Sequence, residues 1–204
     1  MQVGVVFTKL SRPKKRAATL LFSQHAAICL RNGQLVLVFR VGDMRIRSHI
    51  VQSTVRAQFI RHRVTQEGED VTYVPTELNL GADPREDRLF FIWPVDVVHT
   101  IDRSSPFYEL SASDLLRDRF ELVVILDGII ESTGQTTQAR SSYLPNEILW
   151  GHRFQPMVSY DVESGSYTVD YRGFDKTYEV DTPLCSMKEL DEYYKTHGMT
   201  SPVS

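Results

Sequence analysis

The chain is expected to be mainly β, a β-sandwich with a few short helices, and three observations carry that expectation. Strand-sized apolar or alternating runs recur along most of the sequence, Gly, Pro, Asp and Asn punctuate them, and helix-period stretches are confined to two short segments. With 204 residues and 42% apolar content, the chain can bury a core of respectable size as one large domain or two small ones.

The clearest early element is a hairpin. Residues 26–30 and 34–41 are aliphatic and β-branched, and they flank Asn32-Gly33, a pair that tolerates the positive φ angles of a type I′ turn. Further strands are expected over 50–60, 88–93, 120–130, 136–142, 153–160, 166–171 and 177–180. A short helix is expected over 111–117. Ser186, followed three residues later by Glu189, is a capping-box signature that opens a C-terminal helix through Tyr194, with Met187, Leu190 and Tyr194 on one face. Residues 197–204 carry turn formers and little apolar content, so they are expected to fray.

Charge and cysteine usage narrow the function classes. A formal net charge of -3 argues against a generic nucleic-acid binder, so no nucleic-acid partner is expected. The two cysteines, Cys29 and Cys185, lack the spacing and number of a structural zinc site and suit a reducing compartment. The longest apolar runs, 35–39 and 122–126, are far short of a membrane span, and residues 1–10 are too short in their apolar part for a signal peptide.

Enzyme signatures are missing from the sequence: it has no P-loop, GxGxxG, GxSxG or HExxH. The six histidines are scattered singly, and the acidic clusters around Glu67, Asp83 and Asp191 read as solvated surface. We expect no catalysis and no cofactor. The sharpest charge feature is the run Lys9, Arg12, Lys14, Lys15 and Arg16 beside the apolar residues 3–7. It suits an anionic lipid headgroup, each cation near the leaflet contributing about 1 kcal/mol, and it also reads as a solvated arm or an import signal.

Several blocks, read in order, resemble one family. They are Lys9-Leu-Ser-Arg-Pro-Lys-Lys-Arg16, Thr19-Leu-Leu-Phe-Ser23, Phe39-Arg-Val-Gly-Asp43, Arg47-Ser-His-Ile-Val51, Ile101-Asp-Arg-Ser-Ser-Pro106, Glu121-Leu-Val-Val-Ile-Leu126, Thr137-Gln-Ala-Arg-Ser-Ser-Tyr143 and Glu147-Ile-Leu-Trp-Gly-His-Arg-Phe154. Val169-Asp-Tyr171 and Thr177-Tyr-Glu-Val180 continue them. This order resembles the cytoplasmic domain of inward-rectifier potassium channels, grouped here with voltage-gated channels in the broad sense. The resemblance implies an immunoglobulin-like (E-set) β-sandwich on the cytoplasmic side of a cell membrane, assembled as a homo- or hetero-tetramer that extends the ion path. It also implies that the chain is the cytosolic part of a longer, multi-pass subunit, because the family's membrane helices and filter are not in it.

The same resemblance divides the chain into a membrane-proximal linker over 1–18, a pore-lining domain over 19–185, and a C-terminal helix and tail over 186–204. It places an inner-leaflet phosphatidylinositol bisphosphate site on Lys9, Arg12, Lys14 and Lys15, supported by Arg45. The family's acidic pore positions fall on Gln52, Asp83, Asp87 and Asp127, where strongly rectifying relatives carry Glu at the first and last. A ring of four carboxylates, each about 7 Å from an axial cation, contributes roughly 2.4 kcal/mol in water before screening, enough with several rings to concentrate K+ and hold Mg2+ or polyamines. Gln52 removes one ring, so intermediate rectification is expected. A narrow gate loop is expected over 128–137 with Gly128, Gly134 and Gln135, the glutamine standing where relatives place an apolar residue that makes a dewetting constriction. Asp43, with His49 shaping the loop, matches a position that senses intracellular sodium in some relatives; others carry the same Asp without that response. Here the loop between them is one residue longer. Regulatory protein partners are not specified by the sequence.

Overall fold

A computed structural model describes residues 19–44, 50–65, 67–81, 88–89, 93–163 and 165–198. Over these residues the fold is mainly β with two short α-helices and brief 3-10 turns. Its first sheet contains β1 (Leu20–Phe22), β2 (Ala26–Arg31), β3 (Gln34–Asp43), β7 (Val95–Thr100) and β10 (Ile148–Trp150). Its second contains β4 (Ile50–Val64), β5 (Asp70–Leu78), β6 (Arg88–Leu89), β8 (Phe120–Ile130) and β9 (Thr136–Tyr143).

In the first sheet β3 pairs antiparallel with β1, β2 and β7, and β10 lies parallel to β2. The β2–β3 turn is the expected one: Asn32 and Gly33 both have positive φ, 51° and 78°, as a type I′ turn requires. The second sheet runs β5-β4-β8-β9, with β6 also on β4. Two small antiparallel pairs complete the strands, β11 (His152–Phe154) with β14 (Thr177–Glu179) and, between them in the chain, the hairpin of β12 (Val158–Asp161) with β13 (Ser166–Val169). The single strand expected over 153–160 is therefore two, divided at Gln155-Pro156-Met157, where proline has no N–H for a ladder. The strand expected over 88–93 is seen at 88–89, its next three residues lying outside the described ones.

Both sheets feed one hydrophobic core. Leu37 and Phe39 from the first meet Phe59, Leu122 and Leu126 from the second, and the Phe39 and Tyr143 rings lie 6.0 Å apart. Side chains of this size contribute roughly 1.5–3 kcal/mol each when fully buried. The strict alternation of β8, buried at Phe120, Leu122, Val124 and Leu126, turns Glu121, Val123, Ile125 and Asp127 to the other side. Helix α1 (Ala112–Arg117) and helix α2 (Met187–Thr196) start at Ser111 and Ser186, each in a complete capping box, and α2 seats Met187 and Leu190 in the core. No helix of the described residues is long and apolar enough to cross a membrane.

Candidate functional site

The outward side of the β4–β8–β9 ribbon carries Gln52 and Asp127, the two expected pore positions that lie among the described residues. Val51 pairs with Ile129, whereas Thr54 pairs with Asp127, so β4 spends three steps against two on β8. This is a β-bulge, and Gln52 sits in it with φ of 51°, a left-handed conformation uncommon outside glycine. The bulge leaves both Val51 and Gln52 exposed before Ser53 turns fully inward. Sequence spacing carries no sign of it, because the extra residue is a glutamine and not the glycine that usually marks such a place.

Asp127 lies one row along from the bulge. Its Oδ2 accepts from Arg56 Nη2 at 3.0 Å and its Oδ1 from Gln138 Nε2 at 2.6 Å. Arg140 Nε in turn donates to Gln138 Oε1 at 2.7 Å. The ladder explains the grouping: Asp127 is opposite Thr54 and Gln138, and the next row is Arg56, Ile125 and Arg140. Asp127 is therefore a paired carboxylate flanked by two arginines. Neither Arg56 nor Arg140 was singled out from the sequence, although their places two residues from Thr54 and Gln138 on alternating strands put them on the same side.

The expected gate loop is shorter than 128–137. Gly128 belongs to β8 and pairs with Thr137 of β9, leaving residues 131–135 as the turn. Ile130 closes it, its N–H donating to the Gln135 carbonyl at 2.9 Å while its own carbonyl accepts from Gly134 N–H at 2.8 Å. Gly134 has φ of +65° with open space around a Cβ, so within one chain backbone conformation, and not crowding, calls for glycine there. Gly128 is the reverse case: a Cβ would stand 2.1 Å from Ile50 Cγ2. Gln135 is exposed.

Asp43 is buried at the end of β3. Thr19 Oγ1 donates to its Oδ1 at 3.3 Å, and the Tyr171 hydroxyl donates to its backbone carbonyl at 3.1 Å. Its expected companion His49 lies outside the described residues, as do Lys9, Arg12, Lys14, Lys15, Arg45, Asp83 and Asp87. Among the described residues no three or more His, Cys, Asp or Glu side chains are grouped to hold a metal ion.

Comparison with known proteins fits this arrangement. Residues 20–195 match the Inward rectifier potassium channel C-terminal domain. Over 190 residues, 93% of the chain, the sequence is 54% identical to the G protein-activated inward rectifier potassium channel 3 of Homo sapiens, covering 48% of it. It is 50% identical to the G protein-activated inward rectifier potassium channel 4 of Homo sapiens over 93% of the chain and 45% of that protein. It is 51% identical to the ATP-sensitive inward rectifier potassium channel 12 of Mus musculus over 93% of the chain and 44% of that protein. The chain thus spans about half the length of the curated relatives it matches.

Proposed function

The chain belongs to the inward rectifier potassium channel family, and from that premise we propose that it forms the cytoplasmic pore and regulatory domain of such a channel. Its two sheets are read as an immunoglobulin-like (E-set) sandwich, four copies of which, identical or mixed, surround a cation path beneath a membrane. The single observation carrying this is the outward β4–β8–β9 surface, where the family match, the Gln52 bulge and the Asp127 cluster coincide.

On this reading Asp127 faces K+ and the Mg2+ or polyamine that blocks outward current. Arg56 and Arg140 beside it temper the field, so one acid and two cations per subunit at this level attract blockers less than a bare carboxylate ring does. Together with Gln52 in place of a carboxylate, this favours intermediate rectification. Voltage dependence then arises from cation block, and the expected grouping with voltage-gated channels does not hold, because inward rectifiers are not voltage-gated.

Lys9, Arg12, Lys14 and Lys15, with Arg45, supply the phosphatidylinositol bisphosphate contact, residues 1–18 acting as the linker between membrane and domain. A multivalent headgroup there favours the conformation in which the domain is drawn toward the leaflet. Asp83 and Asp87 add acid to the path, and the 131–135 turn with Gly134 and Gln135 forms its narrow upper end. Asp43 and His49 remain the candidate sodium-responsive pair. The test is spermine block of outward current in the full-length subunit carrying Asp127→Asn: block moves to higher spermine concentration, whereas an unchanged concentration dependence removes Asp127 from the cation path.

A further inference from the structure

At the opposite end of β4, a cleft of about 640 Å³ opens beside the residues that follow β7 and beside α1. Arg61 from β4, Arg103 from the turn after β7 and Arg117 from the last turn of α1 line it, over Pro106, Tyr108 and Leu110. Arg61 is nine residues along β4 from Gln52, roughly 30 Å at the rise of a strand, so this is a separate place from the proposed pore surface.

The hydrogen-bonding capacity around the cleft is lopsided. Of its three lining carboxylates, Glu109 accepts from Lys188 Nζ at 2.8 Å and Asp114 is held inside its own capping box, while the buried Asp191 outside the lining accepts from the Tyr108 hydroxyl at 2.8 Å. Its guanidinium groups are only partly engaged, Arg61 by Asp118 and Arg103 by Asp191 and Tyr108, which leaves most of their N–H donors spare. Arg117 is exposed and has no hydrogen bond or ion pair among the described residues, only an electrostatic interaction with Asp114. Arg103 is 67% exposed, and its Nε reaches Asp191 only at 3.9 Å. Arg61 Nη2 lies 3.2 Å from Asp118 Oδ2, yet that buried oxygen gains no hydrogen bond from it, so the alignment is poor.

Each guanidinium offers five N–H donors in a planar fork, and three forks with few acceptors converge on one concave surface. Charges nearby roughly cancel, so what distinguishes the cleft is spare, directional donor capacity and not net potential. We propose that this cleft is an oxyanion site, taking a carboxylate or phosphate group supplied by a free small anion or by an acidic side chain of a docking peptide. Bidentate charge-assisted hydrogen bonds are the contacts such forks form best.

The 204-residue chain is titrated with pyrophosphate, with glutarate and with a glutamate-rich peptide, following the arginine Nε–H signals by NMR, with sodium chloride as the ionic-strength control. Expected is saturable movement of the Arg61, Arg103 and Arg117 signals by at least one of the three, weakened about tenfold or more in Arg117→Glu. Pyrophosphate binding tightest identifies a phosphate source, and the peptide exceeding glutarate tenfold identifies an acidic segment; either supports the site. Shifts that merely follow ionic strength, or saturable binding unaltered in both Arg117→Glu and Arg103→Gln variants of unchanged melting temperature, overturn it. Arg117 makes no hydrogen bond or ion pair among the described residues, so only its weak attraction to Asp114 is lost and the fold is expected to survive, which the melting temperature checks; the result does not depend on the pore assignment.

Discussion

Replacing Gly128 by alanine tests how the β4–β8 register is fixed. A methyl group at this position would stand 2.1 Å from Ile50 Cγ2, where two carbons prefer about 3.5–4.0 Å, so more than an ångström must be recovered by movement. Ile50 is buried at 3% exposure and sits next to the bulge, opposite Ile130, so its side chain has little room to yield. Overpacking of this kind costs about 1–3 kcal/mol, and here the upper part of that range is expected. Ile50→Ala alone leaves a cavity and costs about 2–5 kcal/mol. The two changes together remove the clash and partly fill the space, so the double variant should be no less stable than Ile50→Ala. Urea unfolding of wild type, both single variants and the double variant measures the coupling, expected at about 1–3 kcal/mol in the compensating direction. Costs that simply add, to within about 0.5 kcal/mol, would refute the idea that Gly128 is dictated by Ile50.

Two further outcomes concern buried polar groups. His99 donates from Nδ1 to the Asn79 carbonyl at 2.7 Å and accepts at Nε2 from the Ser105 hydroxyl at 2.8 Å, and burial lowers its pKa from the ordinary 6.5 despite opposing effects of Asn79 and Asp102. Its neutral form is favoured on folding, so its contribution is fully present above pH 6.5 and is lost as pH falls from there through the lowered folded value; urea midpoints of wild type should drop over that window, and His99→Gln should lack that component of the slope. Arg40, with a side chain only 4% exposed, donates to Asp96 at 2.6 Å and lies over the Phe154 ring. Asp96→Asn should cost about 3 kcal/mol in thermal or urea unfolding, the low end for a broken buried pair because Asp96 is 34% exposed, and an effect below about 0.5 kcal/mol would show that the backbone carbonyls around Arg40 suffice.

Much of the fold was legible because local rules and tertiary packing agree. Asn32-Gly33 dictates its turn, the apolar run expected as a strand from Phe120 to Ile130 matches the observed bounds, and Ser186 with Glu189 starts the last helix where the capping signature lies. Strands β1, β5, β7 and β10 escaped notice. Two of them are three residues long, and β5 is an edge strand with Pro75 inside it, held by its pairing with β4. In the candidate site, kinship blocks pointed to Gln52 and Asp127, but period-2 reasoning cannot detect the bulge that gives Gln52 its positive φ. Nor does spacing alone reveal that Arg56 and Gln138 engage both oxygens of Asp127, since that depends on which strands become neighbours.

The central claim, that this surface lines a cation path, is tested most directly by adding charge at the bulge. Gln52→Glu keeps the side chain's length and exposed position, and in a fourfold assembly it would introduce four carboxylates contributing together roughly 2.4 kcal/mol before screening. In the full-length subunit, the spermine concentration giving half-block of outward current should fall several-fold, with a steeper dependence on voltage. Current carrying Gln52→Glu with the same half-blocking concentration and steepness as wild type would contradict the account.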